Sequence, residues 1–146
     1  MKAMNNKTKN RISALLVALA VVTVMAVAAP TASAVTVASL TGSWQGTIMG
    51  QGGCGLGSKL INFTLDSGGF STSGSWNANT VSCGVVSEPL TFTITSLGAN
   101  GAGSATMTAG GLVLHLDIQV NPASNVLTLV DISDAGNYEE GTAIKQ

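Results

Sequence analysis

From residue 40 onwards, apolar and polar side chains alternate with a period of two, and helical spacing is almost absent, so the chain reads as a succession of β-strands. The cleanest is Leu112–Val120. Leu112, Leu114, Leu116, Ile118 and Val120 share one face, and Val113, His115, Asp117 and Gln119 share the other. Asn121-Pro122-Ala123-Ser124 is a turn, and residues 125–132 are the predicted return strand. Trp44 and Ile48 oppose Gln45 and Thr47; Ile61, Phe63 and Leu65 oppose Asn62, Thr64 and Asp66. Phe70 and Trp76 are assigned to one face across Ser71, Ser73 and Ser75, while Leu90, Phe92 and Ile94 oppose Thr91, Thr93 and Thr95. Shorter strands over 81–86, 103–109 and 138–144 bring the total to eight or nine.

The connections are too short for parallel crossovers, so the pairing is antiparallel. One apolar face per strand requires a sheet closed on itself or two sheets face to face. Few charges are available to guard an open edge, which favours closure. The predicted fold is an all-β, eight- or nine-stranded antiparallel up-and-down barrel, with a two-sheet β-sandwich as the alternative. Its strands look shorter than those of membrane barrels, so a soluble barrel is expected. An eight-stranded barrel is either packed by its own side chains or holds one small ligand. The bulk of Trp44, Phe63, Phe70, Trp76, Phe92 and the aliphatic residues between them predicts a filled interior.

The first residues change the picture of where this barrel works. Lys2, Lys7, Lys9 and Arg11 precede an apolar run over 12–29, and Ala32-Ser33-Ala34 supplies a small-x-small cleavage site. Residues 1–34 read as a signal peptide and 35–146 as a single domain, secreted or periplasmic and not membrane-spanning after cleavage. Past residue 34, two basic residues (Lys59 and Lys145) stand against seven acidic ones, a formal net charge of −5. This argues against nucleic acid and anionic membrane surfaces as partners, since both need clustered Lys and Arg. Cys54 and Cys83, 29 positions apart in an exported chain, read as a disulfide.

Candidate chemistry is sparse. Gly50-x-Gly52-x-x-Gly55 matches a dinucleotide fingerprint, but that mechanism needs a helix to follow, and strand patterns flank it here. The stretch 49–58 reads instead as a long hairpin loop pinned by Cys54. His115 and Asp117 share a strand face and form the only pair suited to general-base work. No nucleophile elbow accompanies them, and a solvated face explains them, so no catalytic residue is assigned. Asp131, Asp134, Glu139 and Glu140 gather about a turn. They are calcium-type ligands without a calcium-loop spacing, and an exposed acidic turn is the preferred reading. No metal and no cofactor are expected. Thr91, Thr93 and Thr95 with Ser104, Thr106 and Thr108 would form a hydroxyl array if their strands are neighbours, although threonine also simply favours strands.

Gly42-Ser43-Trp44, within Leu40-Thr41-Gly42-Ser43-Trp44-Gln45-Gly46, resembles the G-x-W opening of the calycin barrels, the lipocalins and avidins. The resemblance implies a barrel plugged at one end by Trp44 and open at the other to a small apolar ligand. Gly74-Ser75-Trp76 repeats the triplet. The basic residue that closes over the tryptophan late in lipocalins is not evident, and the several tryptophans of an avidin biotin site are missing, so biotin binding is not implied. The expected ligand-contacting residues are Trp44 and Trp76, with Met49, Gln51 and Leu56 from the rim loop. The expected function is a secreted non-enzymatic binding module, meeting a small ligand or an extracellular macromolecule at the loop end. A structural or surface-associated cell-envelope protein is the alternative, and a hydrolase the third reading.

Overall fold

The computed structural model describes residues 33–133 and 136–146. Residues 1–32, most of the segment expected to be a signal peptide, and Asp134 of the acidic turn lie outside the described residues. The strands are β1 (Gly42–Gly52), β2 (Gly55–Leu65), β3 (Phe70–Ser71), β4 (Gly74–Thr80), β5 (Gly84–Leu97), β6 (Ala102–Ala109), β7 (Leu112–Val120), β8 (Val126–Asp131) and β9 (Tyr138–Lys145). All pairings are antiparallel. Successive long strands are neighbours, β5 pairs with β6, and β1 pairs with β9, which completes a ring. The result is a closed eight-stranded up-and-down barrel, with β3 as a short extra strand on β5. One continuous ring excludes the sandwich alternative.

Tight turns make the closure possible. Ala109 pairs with Leu112, leaving Gly110-Gly111 as a two-residue turn with φ of 55° and 85°. Two successive positive φ values define the type I′ hairpin, whose twist matches its strands and which glycine adopts without steric penalty. Gly52 likewise pairs with Gly55, so the connection between β1 and β2 is Gly53-Cys54 alone. The long loop expected over 49–58 is therefore strand almost throughout.

Three further expectations are corrected. Phe70 and Trp76 lie on opposite faces: Phe70 is 45% exposed and Trp76 buried. The break at Thr72-Ser73 shifts the phase by one residue, so Ser71 takes the inward position in β3. Of the strand expected over 81–86, residues 81–83 are a turn, and the rest joins the strand expected from Leu90 onwards in a single fourteen-residue β5. Pro89 is tolerated in it because the pairing passes there from β4, ending at Ser75 and Pro89, to β6, starting at Leu90 and Ala109. β1 and β2 reach eleven residues each, so strand length does not distinguish this barrel from a membrane one. The outer wall carries both kinds of side chain: Thr47, Thr142 and Thr128 form one row across β1, β9 and β8, while Leu60, Val113, Val130 and Ile144 are exposed elsewhere on it.

The interior is graded from one end to the other. At one end, Trp44, Phe63 and Phe92 form an aromatic stack with ring centroids 6.4 and 4.6 Å apart. A 3₁₀ turn, Val37–Leu40, covers that stack. Leu40 is fully buried, and Trp44 Nε1 donates to its carbonyl at 2.8 Å. Lys145, paired with Trp44 across β1 and β9, donates from Nζ to Ser39 O at 3.0 Å. At the opposite end the inward positions turn polar. Lys59, Thr80, Asp131 and Glu139 are buried there, and Glu88 is half-buried.

Candidate functional site

The polar end contains a partly enclosed hollow of about 250 Å³. Its walls come from the ends of the hairpins: Gly52 to Gly55, Trp76, Ala78 and Thr80, Val86 and Glu88, Ala109, Gly110 and Leu112, and the side chains of Lys59 and Glu139. The first half of β5 overhangs the end of β6, so Val86 and Glu88 face Gly110 and Leu112 with no ladder bond between them. That gap is what opens the barrel mouth. The interior is filled, as the side-chain count predicts, from the Trp44 end up to Trp76, Ala78 and Ala109, which floor this hollow.

Lys59 and Glu139 form the chemical centre of the hollow. Lys59 continues the inward phase of Ile61, Phe63 and Leu65 on β2; Glu139 shares the inward phase of Ala143 on β9. The two side chains are 5% and 3% exposed, and they pair through Lys59 Nζ and Glu139 Oε1 across β1. β1 permits this because it offers glycines there. A Cβ built on Gly52 would strike Glu139 Oε1. Lys59 Nζ also lies 5.3 Å from the centre of the Trp76 ring, within cation–π range. Glu139 Oε2 is buried and has no hydrogen-bond partner among the described residues.

A disulfide frames the mouth. Cys54, at the tip of the β1–β2 hairpin, bonds to Cys83 in the turn between β4 and β5, with a Cα–Cα distance of 5.4 Å. Ser82 N donates to Cys54 O and Val81 N to Leu56 O, so the two tips are also joined through backbone. Cys54 itself lines the hollow.

The five residues expected to contact a ligand do not form one site. Trp76 lines the mouth, whereas Trp44 is sealed in the closed end. Met49, Gln51 and Leu56 point outward. Met49 and Leu56 border a wider, shallower dish of about 610 Å³ on the outer wall with Val81 and Tyr138. Lys59, Glu139, Glu88, Val86 and Leu112 were missed. Opposite charges on the inward phase of two strands were the available signal.

Other candidates disperse. His115 and Asp117 sit on the outer wall, and among the described residues no hydrogen bond joins their side chains. Of the acidic turn, Asp131 and Glu139 face inward rather than into solvent, and Asp131 Oδ1 accepts from Ser133 N at 2.9 Å. No set of three or more His, Cys, Asp or Glu side chains converges on a metal position among the described residues. Thr91 does pair with Thr108 and Thr93 with Thr106, but a bulge between Ile94 and Ser96 interrupts the array at Thr95. Gly50, Gly52 and Gly55 lie in strands, with no helix N-terminus to hold a phosphate.

No protein-family model matches the sequence, and no curated protein matches it. Among solved structures, the chain is similar to a redesigned β-barrel, with a TM-score of 0.48 and 15% identity over 75% of this chain and 94% of that one.

Proposed function

We propose that the protein is a secreted, non-enzymatic binding module that takes a small ligand into the open end of its barrel. The observation that carries this reading is the mouth itself: a partly enclosed hollow of about 250 Å³ holding a buried charge pair with one unpartnered carboxylate oxygen. Ligand sites are concave, mostly apolar and supplied with a few fixed polar groups, and small ones approach this volume. Trp44 at the closed end, bonded to the Leu40 carbonyl beneath the 3₁₀ turn that Lys145 ties down, supports the calycin-like arrangement of one sealed and one open end. The Cys54–Cys83 disulfide fits an oxidising compartment, and among the described residues no helix is long and apolar enough to cross a membrane.

Native mass spectrometry of protein purified from its own host's medium tests the proposal. A retained mass above that of the polypeptide is expected, and it should vanish in Leu112→Trp, which fills the mouth. The bare polypeptide mass in every preparation overturns the reading. A structural role at the cell exterior is the second reading, favoured by Met49, Leu56, Val81 and Tyr138 on one stretch of outer wall, each more than half exposed. It requires self-association, and sedimentation showing a monomer at all concentrations counts against it.

A further inference from the structure

We infer that the ligand is a small organic monocation, an amine or amidine carried on a compact apolar body. This rests on the mouth being the ligand site and adds the chemistry of what enters it. Two carboxylates, Glu88 and Glu139, face the hollow, against one ammonium, Lys59. Lys59 is engaged by Glu139 Oε1 and the Trp76 ring, which leaves the cavity one negative charge in excess. Glu139 Oε2 is enclosed and unpartnered among the described residues, in a side chain 3% exposed.

A carboxylate oxygen only accepts, so whatever completes Glu139 must donate a hydrogen bond. A water molecule could donate, but it would leave uncompensated the excess charge, which falls on the half-buried Glu88. A cationic N–H group meets both requirements at once, donating to Glu139 Oε2 while its charge offsets that of Glu88. The remaining wall selects the body: Trp76, Ala78, Val86 and Leu112 give it mainly apolar surface, with Thr80 the other polar side chain. An anion of the same shape would meet two carboxylates.

The test is a titration of the isotope-labelled protein, reading the Trp76 indole N–H signal by NMR. The probes are benzylamine and n-butylamine, each with its matching alcohol and carboxylic acid. An amine is expected to saturate the signal with a Kd about tenfold or more below that of its alcohol, as for a charged hydrogen bond. The acids should leave it unmoved. Glu139→Gln and Glu88→Gln should each remove the preference for amine while leaving alcohol binding in place. Glu88 is only half-buried, so its variant carries the test if Glu139→Gln does not fold. Equal affinity for amine, alcohol and acid overturns the cation assignment and leaves the mouth as a ligand site. Shifts confined to Met49, Leu56 and Tyr138, or no shift with any probe at millimolar concentration, overturn both.

Discussion

Gly52 stands where Glu139 Oε1 occupies the space a side chain would need, and that substitution of nothing for something lets two charges meet across a strand. The pair is a poor source of stability in itself, because desolvation offsets most of the attraction between its members. Removing one partner is another matter. Lys59→Met should lose about 3–5 kcal/mol by leaving Glu139 buried and unpaired. Lys59→Met with Glu139→Leu should recover the parent stability or exceed it by about 1–4 kcal/mol. Urea unfolding of the three proteins measures both differences, and a single variant as stable as the parent refutes the account. Charges kept where hydrophobic residues would serve the fold equally well are what a binding role requires.

At the scale of elements, the hairpin tips matter most. Cys54 and Cys83 lock the β1–β2 tip to the β4–β5 turn, closing a loop with a separation of 29 residues. Replacing both by serine should lower stability by about 3.5 kcal/mol on the chain-entropy model, read from the unfolding midpoint. Hydrogen exchange should rise at residues 53–57 and 81–84 while Trp44 and its surroundings stay protected; uniform loosening would show that the disulfide does not act locally. The strands themselves were legible from alternation, because a side-chain period of two is the direct consequence of the pleat. Three things were not. A phase slip at Thr72-Ser73 reverses the faces of Phe70 and Trp76 without any change in composition. Pro89 looks like a strand end until the change of partner around it is known. The glycines of 50–57 suggested a loop, yet Gly50, Gly52 and Gly57 are strand positions where β-carbons would collide with neighbours. The site was illegible for the same reason: Lys59 and Glu139 are 80 residues apart, and only the register of β1 between them brings them together.

Across the whole molecule the two ends behave as separate devices. Leu40→Ala, in the plug, should destabilise by about 2–5 kcal/mol through the cavity it leaves. It should not alter what the mouth retains, since the aromatic stack lies between them; unfolding and native mass spectrometry on one sample check both halves. A ligand-retention change equal to that of Leu112→Trp would mean the ends are coupled.

The seam between β1 and β9 carries a last implication. Because β1 and β9 close the ring, a chain lacking either strand cannot complete it. Until the residues of β9 arrive, β1 and β8 present bare edges and the aromatic stack lies open on one side. Closure of the wall and enclosure of its aromatic layer are thus one event, set by a single pairing between segments about a hundred residues apart.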